Sequence, residues 1–147
     1  MSGLQTAAST FGLQLDVLRA STEAEIETAF ATLQQRRAGA LVIGLSTFFN
    51  SRTEKLAALS LRHAVPTIYQ YRQFVAAGGL VSYGTDETEF YRLAGIYAGK
   101  ILNGDKPADL PVQQTTKVEL IVNLKTAKAL GITVPQSVQS RADEVIE

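Results

Sequence analysis

Apolar positions along this chain switch between a period near four and a period of two, and that switching predicts its elements. Residues 6–11 read as the end of a helix, with Gly12 as its stop signal. Residues 13–18, L-Q-L-D-V-L, alternate and predict a strand with Leu13, Leu15 and Val17 on one face. Ile26, Phe30 and Leu33 then recur at helical spacing. Ser21 or Thr22 can cap that helix, and Glu23 and Glu25 suit its positive end. Residues 40–45, A-L-V-I-G-L, form a continuous apolar run, the pattern of a parallel strand buried on both faces.

The alternation continues. Residues 46–50 read as a loop and residues 51–63 as a helix facing inward through Leu56, Ala57 and Leu59. Residues 65–69 predict a strand with Pro66 near its start. Residues 71–77 predict a short helix ended by Gly78-Gly79, and residues 80–83 a strand closed by Gly84. Thr85 or Asp86 can cap a helix reaching Leu102, with Phe90, Leu93, Ile96, Tyr97 and Ile101 as its apolar stripe and Asn103-Gly104 as its end. Residues 106–112 read as an extended crossing around Pro107 and Pro111. Residues 117–122 predict a strand, and a helix follows to Leu130-Gly131. Residues 132–138 read as extended around Pro135, and residues 141–146 as a terminal turn. Strands alternating with helices predict an α/β fold with a three-layer parallel sheet of Rossmann or flavodoxin-like type.

Composition narrows the partners. The chain has 147 residues, 46% hydrophobic and 19% charged, which suits one domain able to bury a core. Net charge is zero, so no basic excess points to nucleic acid. There is no cysteine and one histidine, so neither a thiolate site nor a His/Cys metal cluster can be built. No cofactor motif of the G-x-G-x-x-G or P-loop kind occurs. His63 reads as a helix-end residue, and no acid/base pair marks an enzyme. No apolar run is long enough for a membrane span, and the N-terminus has no signal-peptide pattern.

In open parallel sheets, ligands bind beyond the carboxyl ends of the strands. Three stretches fit. Ser46, Thr47 and Phe48 follow a buried strand with two hydroxyls and a ring, although Ser46 could equally cap a helix and Phe49 read as core. Tyr69 and Arg72 interleave aromatic and polar character, and Arg72 could pair with a carboxylate. Ser82 and Tyr83 precede Gly84, where backbone can approach closely.

Longer motifs carry a resemblance. The stretches A-G-G-L-V-S-Y-G at 77–84, Y-R-L-A-G at 91–95 and K-I-L-N-G-D-K-P-A-D-L-P-V-Q at 100–113 come in order. N-L-K-T-A-K-A-L-G-I-T-V-P at 123–135 and R-A-D-E-V-I at 141–146 follow. Together they resemble ABC transporter substrate-binding proteins of the tryptophan/tyrosine-binding type. The resemblance implies one lobe of a type I periplasmic binding protein, matching only the second half of the family's length. It implies a hinged, periplasmic, non-catalytic protein that closes on a small aromatic or amino-acid-like solute and hands it to an ABC permease. Residues 1–84 would form the second-lobe core, 85–112 return to the first lobe, and 113–147 rejoin the second. The family often carries Asp at the position of Ser46 and Glu at that of Gln73. If that Asp holds a ligand ammonium in the family, its loss here favours an uncharged aromatic or an aromatic carboxylate. A lobe on its own would expose its inter-lobe face and form a homodimer there. The alternative is a stand-alone ligand-sensing or interaction module of the same architecture.

Overall fold

The computed structural model describes residues 2–113 and 117–147. The expected boundary after residue 112 adjoins residues 114–116, which lie outside the described residues. Helix α1, Ser2–Thr10, ends as its sequence predicts, with Gly12 at φ +64°. Residues 13–20, in contrast, pair with no strand. The Leu13 amide turns back to Ala8 O at 2.8 Å and closes the helix. Leu18 and Ala20 still pack on the core, while Leu13 and Val17 lie exposed. Alternation reports a one-sided face, and a strand also needs a partner.

Helix α2, Glu23–Gln35, starts in a reciprocal cap. Thr22 Oγ1 accepts from the Glu25 amide at 3.2 Å, and the Glu25 carboxylate accepts from the Ser21 amide at 2.6 Å and the Ser21 hydroxyl at 2.8 Å. Ile26, Phe30 and Leu33 are buried as their spacing predicts. Strand β1 is short, Leu41–Val42, and sits at the sheet edge. The expected double-sided burial is not observed. Val42 is 55% exposed and Leu45 79%. An edge strand has a neighbour on one side only, so a continuous apolar run does not guarantee two covered faces.

Residues 46–50 are more ordered than a loop: Thr47–Asn50 forms a helical turn, α3, ahead of α4, Thr53–Arg62. His63 ends α4, its ring 5.7 Å from that of Phe30. Strand β2, Thr67–Tyr69, leads to α5, Arg72–Ala76, which stops at Gly78 with φ +97°. Strand β3, Val81–Thr85, runs through Gly84, which does not close it but pairs with Glu119. The long helix α6, Glu87–Leu102, is capped by Asp86, which accepts from the Thr88 amide at 2.9 Å. The crossing that follows is not wholly extended, because Pro107–Asp109 makes a 3-10 turn, as proline at the first position allows.

Strand β4 covers Val118–Asn123 and α7 Leu124–Ala129. Residues 132–138 are extended only in part, since α8, Gln136–Gln139, begins directly after Pro135. The expected terminal turn is instead strand β5, Glu144–Ile146. The sheet order is β1-β2-β3-β4-β5. β1, β2 and β3 are mutually parallel and β4 pairs parallel with β5, but β3 and β4 are antiparallel. The fold is thus α/β with a mostly parallel sheet. The single reversal comes from α6 and its crossing, which return the chain to the end of the sheet that β3 left, so that Val118 at the start of β4 lies opposite Thr85.

Ile26, Phe30, Leu33, Leu56, Leu59 and Phe74 meet Val65, Tyr69 and Ile121 in one core between helices and sheet. Two buried polar side chains near it are satisfied. Asn123 Nδ2 donates to Val75 O at 3.4 Å, and Thr126 Oγ1 donates to Gly78 O at 2.9 Å. Helix α6 buries none of its residues. Along its apolar stripe Phe90, Ile96 and Ile101 are 56%, 41% and 43% exposed and Leu93 and Tyr97 half-buried, so the stripe lies largely bare.

The helix-end carboxylates make stability depend on acid. Hydrogen bonds from Ser21 hold Glu25 below its ordinary 4.5, and the Thr88 amide holds Asp86 below its ordinary 3.8. The Lys55 ammonium lowers Glu23, and the Arg92 guanidinium lowers Glu89. A depressed folded-state pKa stabilises fully above the unfolded value and is lost as pH falls through the folded one. Melting temperature is therefore expected to hold from pH 7 to about 5 and then fall as acid is added below that. A thermal melt series across that range checks this, and a flat profile down to pH 3 would contradict it.

Candidate functional site

The carboxyl ends of β1, β2 and β3 lead into α3, α5 and α6, so three helix starts converge at one end of the sheet. A broad open cleft of about 1180 Å³ lies there, lined by Asn50, Arg52, Tyr71, Gln73, Glu87 and Tyr91 among others. A small recess of about 30 Å³, room for roughly one water, adjoins it. Tyr71, Gln73 and Glu87 line both cavities.

Ser46 caps α3, its hydroxyl accepting from the Phe48 amide at 3.2 Å. Thr47 is exposed on the first turn. Phe48 is half-buried against the core, with the Arg52 guanidinium 4.0 Å from its ring centre. Arg52 also pairs with Glu23 at 3.2 Å, so its charge is largely spoken for. Tyr69 is buried, edge-on to Tyr71 at 5.4 Å and to Phe74 at 5.9 Å. Its hydroxyl donates to Asn50 Oδ1, and Asn50 Nδ2 donates to the Tyr71 oxygen at 3.0 Å. Desolvation by burial, then the neighbouring Tyr71, pushes the Tyr69 pKa up to about 12.

Arg72 pairs with Glu144 at the start of β5 and lines the recess, not the cleft. Ser82 stands beside Tyr69 in register, is buried, and also lines the recess. Tyr83 follows it on the strand and so points to the opposite side, more than half exposed. Phe48 and Tyr69 therefore stand behind the cleft and position Arg52 and Asn50, while Arg72 and Ser82 gather at the recess.

Several residues on the cleft wall escaped the sequence reading. Asn50, Gln73, Glu87 and Tyr91 were not among the candidate site residues read from the sequence. Their shared signal is position, since each follows the carboxyl end of a parallel strand. Gln73 Nε2 donates to Glu87 at 3.0 Å and ties α5 to the start of α6. Gln70 Nε2, near the recess, is buried with no hydrogen-bond partner. Among the described residues no group of three or more His, Cys, Asp or Glu could hold a metal ion. The cleft wall sets the carboxamides of Asn50 and Gln73 and the rings of Tyr71 and Tyr91 beside the charged side chains of Glu23, Arg52, Glu54, Lys55 and Glu87.

A family model described as ABC transporter substrate binding protein matches residues 1–146. No curated protein matches the chain. Among solved structures, a conserved domain protein from Vibrio cholerae O1 biovar El Tor is similar in fold, with TM-score 0.85 and 24% identity over 99% of this chain and 49% of that one. An ABC domain in complex with L-Trp from Streptococcus pneumonia has TM-score 0.84 and 25% identity over 99% of this chain and 50% of that one. A ligand-free, open substrate-binding protein with adhesive properties from Clostridium difficile has TM-score 0.66 and 23% identity over 99% and 48%. The chain spans about half the length of these structures.

Proposed function

We propose, from the premise that this chain belongs to the ABC transporter substrate-binding protein family, that it captures a small aromatic or amino-acid-like solute for an ABC importer. The observation that carries this reading is the open cleft beyond β1, β2 and β3, where Asn50, Tyr71 and Gln73 set polar groups among rings. The Streptococcus structure with bound L-Trp supports an aromatic solute of the tryptophan/tyrosine class.

In this reading the chain is one lobe of a hinged clamp. Ser46, Thr47 and Phe48 after β1, Tyr69 and Arg72 at β2, and Ser82 and Tyr83 on β3 form or support its wall. A cleft this open needs an opposing surface to bury a solute. The bare stripe of α6, within the 85–112 segment, is where another lobe or a second copy packs. In this reading the protein works outside the cytoplasm, in the periplasm, beside a permease, as the family's role supports. Among the described residues no helix is long and apolar enough to cross a membrane.

A thermal-shift panel tests the reading on this chain. L-Tryptophan, L-tyrosine, L-phenylalanine and indole-3-propionate are compared with L-alanine and L-glutamate. An aromatic solute at a hundred times its Kd should stabilise the fold by about 2.7 kcal/mol. A response to the non-aromatic solutes instead would overturn the aromatic assignment. No response to any of them, confirmed by calorimetry, would overturn solute capture by this chain.

A further inference from the structure

The edge of the cleft carries a hydrogen-bond relay with a definite direction. The Tyr69 hydroxyl donates to Asn50 Oδ1, and Asn50 Nδ2 donates to the Tyr71 oxygen. The carboxamide has two orientations, and Tyr69 selects between them. Tyr69 is 2% exposed, and Asn50 is the partner of its hydroxyl among the described residues. Turning Asn50 over would set an N–H against that hydroxyl and leave a buried O–H without an acceptor. Burial also keeps Tyr69 protonated at any ordinary pH, so it always has a proton to give.

The consequence falls on Tyr71. Its oxygen accepts from Asn50, and among the described residues no acceptor takes its own proton. Tyr71 lines both the cleft and the recess, and that proton is offered there. We propose that Tyr71 is a specificity-determining residue of the cleft: its hydroxyl donates to an acceptor oxygen on the solute, with Tyr69 and Asn50 as the positioning residues that keep it a donor. This rests on the solute-binding reading and narrows it. The solute carries a carboxylate, carbonyl or hydroxyl oxygen beside its apolar body. A solute whose one polar group off the ring is an ammonium has no lone pair to receive the proton.

Titration calorimetry with indole-3-propionate, tryptamine and 3-methylindole tests this on the chain and three variants. The wild type is expected to prefer indole-3-propionate to tryptamine. Tyr71→Phe should weaken indole-3-propionate about tenfold, the scale of a hydrogen bond to a charged group, and leave 3-methylindole within about twofold. Asn50→Asp supplies a carboxylate that accepts from both hydroxyls and draws the Tyr71 proton away. It should weaken indole-3-propionate by a similar factor, and the loss should vanish when Tyr71 is already Phe, whereas simple charge repulsion would persist in that double variant. Equal loss for the acid and the acceptor-free ring in Tyr71→Phe would overturn the proposal, as would an Asn50→Asp loss undiminished in the double variant. Binding by the wild type with Tyr71→Phe silent would sink this inference alone. No binding of any probe by the wild type would sink the solute reading and this inference with it.

Discussion

Phe74→Ala is expected to lower the unfolding free energy by about 3–5 kcal/mol, the largest loss from any single side chain here. Phe74 has no exposed surface and sits edge-on to Tyr69 at 5.9 Å. Its ring also fills the space that a side chain at Gly79 would occupy: a Cβ there would stand 2.3 Å from two of its ring carbons. The turn from α5 into β3 is therefore built around this ring, and the Gly79 amide closes it by donating to Phe74 O at 2.7 Å. Truncation leaves a cavity that a sheet on one side and helices on the other cannot collapse to fill. Urea denaturation should show a lower midpoint with an unchanged slope. A loss under about 1 kcal/mol would mean that the core is not centred here. Because the ring backs Tyr69, solute affinity should fall as well.

Gly84→Ala is expected to destabilise by about 1–3 kcal/mol or more, through backbone collision and not lost contact. A Cβ at this position would lie 2.1 Å from Gln70 O and 2.9 Å from Gln70 C. Backbone cannot rotate aside as a flexible side chain can. Gly84 is held in the ladder opposite Glu119, so the strain passes to the end of β2, where Gln70 leads into Tyr71. The variant should therefore lose both stability and solute affinity. Gly95→Ala is the reference, since a Cβ there meets nothing within 4 Å. Within α6 it should raise stability by about 0.5–1 kcal/mol. If the two substitutions shift the melting temperature alike, the close approach at Gly84 is absent.

Much of this fold was legible along the chain because local chemistry speaks to local structure. Thr22 and Asp86 announce helix starts, and Gly12, Gly78 and Gly104 announce stops that need positive φ. The spacing of Ile26, Phe30 and Leu33 announced a buried face, and that face is buried. The failures share one cause. Residues 13–18 alternate like a strand but have no neighbour to pair with, residues 40–45 are apolar like a central strand but lie at an edge, and β5 looked like a turn until β4 was placed beside it. Whether a segment is a strand depends on what lies next to it, and a sequence pattern does not record that.

The candidate site divides the same way. Ser46 and Tyr69 were visible as polar and aromatic residues at strand ends, yet one caps a helical turn and the other stands behind the wall holding Asn50. Asn50, Gln73, Glu87 and Tyr91 come from three separate βα junctions and meet only when β1, β2 and β3 lie side by side. The chain by itself determined the α/β class, the starts of α2 and α6, the core face of α2 and the absence of cysteine, because each follows from composition or from neighbours in sequence. Tertiary structure alone decided the reversal at β4, the bare stripe of α6 and the one-way relay from Tyr69 to Tyr71, because each depends on contacts across 19 or more residues, or on a surface left without any.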